Sequence, residues 1–140
     1  QEVTTEGGLD VIRNKKRIFD VSKKFSHKKI ILSLFIDPVK EQIVTTNNLG
    51  IGTIELHTGA YANAREEKHR DREYGKLLKA IAYAKSLGLI VNLGHGLTYQ
   101  NIAPLAKLED VHEFNIGHSI ISRAVFTGME KAVKDMLELL

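Results

Sequence analysis

The sequence predicts an α/β fold built on a parallel sheet, and three observations support this class. Strand and helix patterns alternate strictly, an order that requires right-handed crossovers between parallel strands. The first strand pattern, "IILSLFI" at residues 30–36, is apolar on both faces, as expected of a strand covered by helices. Glycines and prolines fall between the patterns and mark turns.

The first element is an amphipathic helix within residues 13–29, "RNKKRIFDVSKKFSHKK". Its eight lysines and arginines could form a nucleic-acid patch. However, Ile18, Val21 and Phe25 follow helical spacing and define an apolar face, so the basic residues form the solvated side. We therefore predict no nucleic-acid partner.

The next elements are a short helix, a strand, a long helix and another strand. Asp37 is expected to cap the short helix, with Pro38 in its first turn. Strand patterns follow at residues 51–57 and 89–94. The helix between them, residues 63–87, should end at Gly88, because glycine is the usual residue just past a helix.

The last elements are a helix at residues 101–108, a strand at 111–117 and a final helical segment. Thr127 and Glu130 have the spacing of a capping box. The apolar stripe after them is predicted to join the core, and it comprises Met129, Val133, Met136 and Leu140.

Two parallel architectures fit this order, an open doubly wound sheet and a (β/α)₈ barrel. Four strands are too few to close a barrel, which usually needs roughly 250 residues. The 140 residues, with no linker or composition shift, predict a single domain over 1–140 that corresponds to half of a larger fold.

Composition excludes several classes of protein. The chain is 43% hydrophobic and 26% charged, which is typical of a globular domain. It has no cysteine, so disulfides and thiolate metal sites are excluded, and a reducing compartment is expected. No apolar run approaches the roughly 20 residues that span a bilayer, and no signal peptide is expected.

Polar residues cluster where the predicted strands end, which is where parallel α/β folds bind ligands. They are Asp37, Glu55, His57, His95 and His118. Glu55 lies within the apolar strand "TIELH", so its carboxylate requires a partner or a function. A structural ion pair with His57, two residues away on the same face, is the alternative to a catalytic role.

Two Gly-His pairs, Gly94-His95 and Gly117-His118, follow successive strands. With Gly96 on its other side, His95 can come close to a ligand and act as an acid or base, or else be a turn histidine bonded to a carbonyl. Gly117 and His118 open a helix, whose free N–H groups bind anions. These residues predict a phosphate beside a proton donor.

A metal site is the competing hypothesis, since His57, His95, His118 and Glu55 are possible zinc ligands. No HxH or HExxH pair is present, and glycines suit phosphate better than a metal cage. We therefore expect no metal at this site.

The stretches "QEVTTEGGLDV", "SLFID", "IELHTGAYA", "GHGLTY" and "NIGHSII" together resemble the pyridoxine 5′-phosphate synthase family, along the whole chain. The resemblance implies a TIM (β/α)₈ barrel, of which this chain supplies about the C-terminal four strand–helix units. It also implies a cytoplasmic homo-octamer without membrane contact and without a metal or organic cofactor.

The implied reaction condenses 3-amino-2-oxopropyl phosphate with 1-deoxy-D-xylulose 5-phosphate, giving pyridoxine 5′-phosphate, phosphate and water. The resemblance implies that His95 is the proton donor and that Glu55 stabilises charge in the transition state. It also implies substrate contacts, which fall on Thr4, Gly96, Gly117 and His118, with Thr5 an alternative to Thr4.

The family's first four strands carry further catalytic residues that this chain lacks. The isolated chain is therefore expected to be an inactive part of a transferase. Two alternatives are another phosphate-binding barrel enzyme, of isomerase or aldolase type, and a non-catalytic half-barrel. No lysine stands at a strand end to form a Schiff base, which argues against the aldolase.

Overall fold

A computed structural model describes residues 7–26, 28 and 30–140, and its strands alternate with helices as predicted. Thr4 and Thr5 lie outside the described residues. The elements in chain order are α1 (Lys15–Ser26), β1 (Ser33–Ile36), α2 (Lys40–Asn48), β2 (Thr53–His57), α3 (Gly59–Ala62), α4 (Glu67–Ser86), β3 (Ile90–Gly94), α5 (Ala103–Ala106), β4 (Glu113–Asn115), α6 (His118–Thr127) and α7 (Met129–Leu137).

The four strands form one sheet in the order β1-β2-β3-β4, and every neighbouring pair is parallel. Sequential strands that lie side by side with helical crossovers match one half of a (β/α)₈ barrel. The predicted α/β class is therefore confirmed. A doubly wound sheet would instead reverse its strand order at a switch point, and these four strands do not.

The two faces of the sheet differ sharply in polarity. Alternate residues point to opposite faces, so Leu34, Ile54 and Val91 share one face with Ile36, Leu56 and Leu93. This face packs against the helices and forms the core, whose fully buried members include Ile36, Ile43, Ile54, Leu56, Leu77, Leu93, Ile102 and Leu105. The other face carries the polar residues.

The register places the polar residues in two rows across the sheet. Phe35, Glu55, Asn92 and Glu113 are successive partners in one row. His57, Gly94 and Asn115 form the next row, nearer the carboxyl ends of the strands. Gly94 of β3, which has no side chain, therefore lies between His57 of β2 and Asn115 of β4.

Two of the predictions concern helix ends, the glycine stop at Gly88 and the capping box at Thr127 and Glu130. Gly88 follows α4 with φ 79°, the left-handed conformation that glycine adopts without strain, so the predicted helix end is confirmed. The capping box is wrong: Gly128, with φ 81°, divides the last segment into α6 and α7, and no side chain caps α7. The Thr127 hydroxyl instead donates to the Arg123 carbonyl, at 3.1 Å.

The predicted role of Asp37 as a helix cap is also wrong. Helix α2 begins three residues later, at Lys40, with Val39 at its N-cap position and no side-chain cap. The Asp37 carboxylate lies 3.0 Å from Nδ1 of His57 instead. A tertiary partner thus replaces the local one, because the helix begins too far along the chain for Asp37 to be its N-cap residue.

The C-terminal apolar stripe is only partly buried. Met136 is 2% exposed, but Met129, Val133 and Leu140 are 52, 38 and 47% exposed. The prediction that all four join the core is therefore wrong for three of them. Within the part of the chain that the structure describes, no helix is both long and apolar enough to cross a membrane.

Candidate functional site

A cleft of about 540 Å³ opens at the carboxyl ends of β2, β3 and β4. All five predicted site residues that the structure describes line it: Glu55, His95, Gly96, Gly117 and His118. Thr4, the sixth, lies outside the described residues. Strands that neighbour each other in the sheet therefore bring together residues up to 63 positions apart in sequence, from Glu55 to His118.

His95 has a backbone φ of 80°, in the left-handed region that residues other than glycine rarely adopt. Such a conformation costs about 1–3 kcal/mol and persists only when the surroundings impose it. Here the buried Thr58 hydroxyl lies 2.7 Å from the Gly94 carbonyl oxygen and 2.6 Å from that of His95. The Thr58 N–H donates to the same Gly94 carbonyl at 2.9 Å. Thr58 therefore holds the turn that projects His95.

Gly96 is required for two reasons, and only one was expected. Its φ of 75° is in the left-handed region, which glycine favours. A Cβ at this position would also lie 2.7 Å from the Ala62 side chain, so the turn packs closely against α3. Glycine at this position thus allows the turn to pack against α3, in addition to allowing a ligand to come close.

The same turn is held from the other side by Tyr61 and Asn101. The Tyr61 hydroxyl donates to the Asn101 carbonyl at 2.7 Å, and the Asn101 amide donates to the Gly96 carbonyl at 3.0 Å. Burial raises the pKa of the Tyr61 phenol, so it remains a hydrogen-bond donor. The loop after β3 is therefore held at His95 by Thr58 and at Asn101 by Tyr61 of α3.

Glu55 is partnered by Asn115, which the sequence reasoning did not identify. The Asn115 amide donates to Oε2 of Glu55 at 2.7 Å. The side chains of β2 and β4 meet above β3 because Gly94 lies between them: a Cβ there would collide with Oε1 of Glu55. The signal was present in "NIGH", where Asn115 precedes the Gly-His pair at a strand end.

His57 does not pair with Glu55, so the alternative of an ion pair between them is wrong. The two side chains share a face but lean in opposite directions along it. Glu55 reaches toward β4, whereas Nδ1 of His57 contacts Asp37, just after β1. The rings of His57 and His95 meet edge to face, with centroids 4.8 Å apart.

The side of the cleft that is predicted to bind phosphate is the first turn of α6. Gly117 is its N-cap residue, and no side chain caps it, so the first N–H groups of the helix lack an acceptor among the described residues. Nothing stands within 4 Å of a Cβ placed on Gly117. An anion could therefore approach this backbone directly, favoured by the helix dipole.

The geometry does not favour a metal. No group of three or more His, Cys, Asp or Glu side chains lies close enough to hold an ion in residues 7–26, 28 and 30–140. His57 has its Nδ1 engaged with Asp37, and Glu55 is bonded to Asn115. Absence of a metal stays a prediction for the site as a whole.

Three curated relatives with the same name illustrate what the chain is similar to. Pyridoxine 5′-phosphate synthase of Pelobacter propionicus is 51% identical over 140 residues, all of this chain and 59% of the relative. The enzyme of Trichlorobacter lovleyi is 49% identical over 140 residues, again all of this chain and 59% of the relative. That of Magnetococcus marinus is 48% identical over 139 residues, 99% of this chain and 57% of the relative.

The chain therefore spans somewhat more than half the length of these relatives. The model of one protein family matches the chain from residue 1 to residue 140, so the match includes every element around the cleft. The chain belongs to the family of the pyridoxal phosphate biosynthesis protein PdxJ.

Proposed function

We propose that this chain supplies part of the active site of a pyridoxine 5′-phosphate synthase. The enzyme would condense 3-amino-2-oxopropyl phosphate with 1-deoxy-D-xylulose 5-phosphate and release phosphate and water. One observation carries the proposal: an ionisable ring, a carboxylate and an open helix N-terminus line the same cleft. The name that the relatives share is consistent with this reaction.

In this proposal the N-terminus of α6 binds the phosphate of the aminoketone, together with Gly96 and His118. Free N–H groups and the helix dipole attract the anion, and the open space beside Gly117 admits its oxygens. Thr4, or Thr5, would contact the second substrate. Fixing both phosphates places the amine and ketone in reacting geometry, which can replace a large part of the entropic barrier.

His95 would then donate protons during condensation and dehydration, while Glu55 stabilises positive charge that develops on the reacting atoms. An imidazole is suited to this task because it changes charge near neutral pH. Asn115 holds one oxygen of Glu55 and leaves the other carboxylate oxygen for the substrate. Neither step requires a metal or an organic cofactor.

We also propose that residues 1–140 belong to a single (β/α)₈ barrel domain, completed by the rest of the relatives' length. The assembled transferase would be a cytoplasmic homo-octamer. The isolated chain would be inactive. Half of an active site can bind one substrate, but it cannot align the two substrates for reaction.

The test is a chimera in which this chain replaces its matching segment in the Pelobacter propionicus relative, to which it is 51% identical. The product and released phosphate are measured with both substrates. We expect activity from the chimera and none from residues 1–140 alone. His95→Asn should lower kcat by about 10²–10⁴-fold, as loss of a general acid does.

His69→Ala is the matched control, since His69 is an exposed histidine of α4 that pairs with Glu73 and lies outside the cleft lining. It should leave kcat unchanged. A folded chimera that makes no pyridoxine 5′-phosphate, or one in which His95→Asn retains full activity, would contradict the proposed function. Binding of phosphate without turnover would favour the non-catalytic half-barrel.

A further inference from the structure

The run His57-Thr58-Gly59, directly after β2, contacts the loop of His95 at three points. Thr58 holds the backbone of that loop through the carbonyls of Gly94 and His95. His57 meets the His95 ring, with centroids 4.8 Å apart and the planes inclined by 66°. Gly59 lies beside both rings. Two of these three contacts involve the His95 side chain itself.

The His57 ring is fixed on every side that the structure describes. Its Nδ1 lies 3.0 Å from Oδ1 of Asp37, and its edge meets Phe35 with centroids 5.0 Å apart. A Cβ on Gly59 would stand 2.6 Å from its Nε2, so no larger residue fits there without displacing the ring. His57 thus has one orientation available, set by a carboxylate and by packing.

His95, in contrast, has no polar tether of its own. Among the described residues no group hydrogen-bonds to its ring, and its neighbours are the ring of His57 and, at 6.2 Å, that of Phe35. The direction of the side chain therefore depends on the backbone turn and on contact with His57. The same Gly59 position is 3.2 Å from Cδ2 of His95, which shows how closely the two rings converge.

One feature distinguishes His57 from a residue that merely fills space. Its Nε2 is buried and has no hydrogen-bond partner in the described part of the chain. An apolar ring would fill the same volume without burying an unsatisfied nitrogen. The histidine gains the bond from Nδ1 to Asp37, which fixes rotation of the ring, and that rotation decides where its edge meets His95.

We propose that His57, oriented by Asp37, is a positioning residue for the proton donor His95. The inference rests on the proposed function and goes further, because it assigns a role to a histidine outside the cleft lining. His57 does not exchange protons with substrate. It holds the His95 ring in the one rotamer that faces the cleft.

The test uses the chimera with three substitutions, His57→Ala, His57→Phe and Asp37→Ala. His57→Ala removes the ring, and we expect kcat to fall by roughly 10–100-fold, as small misplacements of reacting groups do. KM for the aminoketone phosphate should stay within about twofold, because the phosphate cradle on α6 is untouched. A crystal structure of the variant should show the His95 ring displaced.

His57→Phe keeps a ring beside His95 but loses the bond to Asp37, so its kcat should lie between that of His57→Ala and that of the unsubstituted chimera. Asp37→Ala should give an intermediate loss. Equal kcat in His57→Ala and the unsubstituted chimera, with His95 in place, would overturn the inference. So would a loss in His57→Phe as large as in His57→Ala.

These outcomes are separable from failure of the proposed function, which would appear as an inactive unsubstituted chimera. Should His57→Ala not fold, Asp37→Ala decides the question, because it keeps both rings and removes only the carboxylate that orients His57. A lowered kcat with KM unchanged supports the positioning role, and a kcat equal to that of the unsubstituted chimera overturns it. His69→Ala, with kcat unchanged, controls for loss of a histidine elsewhere.

Discussion

The two sides of the cleft are built very differently. On the β2–β3 side, Thr58 and Leu93 are fully buried, and the loop of His95 is bonded to α3 and to Thr58. On the other side, β4 has only three residues and α6 has no buried residue. Val125 and Phe126 of α6 are 77 and 89% exposed.

Helix α6 packs the partly buried Ile120 against the core, and polar contacts add to its attachment. The Ser119 hydroxyl donates to the Leu97 carbonyl at 2.9 Å, and Arg123 lies over the Tyr99 ring, 4.7 Å from its centroid. Both contacts lead back to the loop after His95. The side proposed for acid–base chemistry is therefore fixed by the chain's own core. The side proposed for anion binding depends on contacts with that first side for its position.

Gly94→Ala should have the largest effect, because it strikes the packed side. The new methyl group would collide with the Glu55 carboxylate and lie 3.2 Å from the Asn115 side chain. We expect about 1–3 kcal/mol of lost stability from overpacking. Displacement of Glu55 should also lower kcat of the chimera by about 10²-fold. Urea unfolding and steady-state kinetics measure the two effects, and an unchanged kcat would show that Glu55 has no catalytic role.

Thr58→Val tests whether the His95 turn is held by the buried hydroxyl. The substitution keeps the shape but leaves two carbonyl oxygens without that donor, which costs about 1–3 kcal/mol. Because φ of His95 is then less constrained, kcat should fall by roughly tenfold. Thr58→Ser, which retains the donor, should be close to the unsubstituted protein. Equal losses in both variants would contradict the role of the hydroxyl.

Gly117→Ala is the counterpart of Gly94→Ala on the open side. The new methyl group meets nothing within 4 Å and the φ of −120° is ordinary, so stability should not change. It would, however, occupy the space proposed for phosphate, and KM for the aminoketone phosphate should rise about tenfold with kcat preserved. A variant with normal KM would place the anion elsewhere, and a destabilised one would remove the contrast between the two sides.

The smallest effect concerns the contact between α6 and α7. Hydrogen bonds from Lys131 and then from Arg123 lower the pKa of the Asp135 carboxyl below its ordinary 3.8. A carboxyl whose pKa is lower in the folded state stabilises the fold at pH values above its unfolded-state pKa. This contribution disappears as the pH falls through the folded-state pKa. Acid unfolding followed by circular dichroism should therefore differ between the unsubstituted protein and Asp135→Asn above pH 4, and converge below it. A constant difference at every pH would exclude this linkage.

Much of this fold could be predicted from local pattern. Periodicity of apolar residues identified four strands and the helices between them, and Gly88 ended α4 where expected. The same reasoning failed at Asp37 and Thr127. Both have the sequence features of caps, but a side chain that can bond locally can also bond to a distant partner, and sequence spacing does not say which is favoured.

What the sequence alone determined is the set of strand-end residues, since parallel strands with short turns bring their carboxyl ends to one edge. That placed Glu55, His95, Gly96, Gly117 and His118 in one cleft. Only the tertiary structure decided which of them touch. Asn115 donates a hydrogen bond to Glu55 above Gly94, which has no side chain to block it. Asp37 contacts Nδ1 of His57, whose ring packs against that of His95. Register and side-chain packing across strands set these contacts, and neither is written in the spacing of residues along one strand.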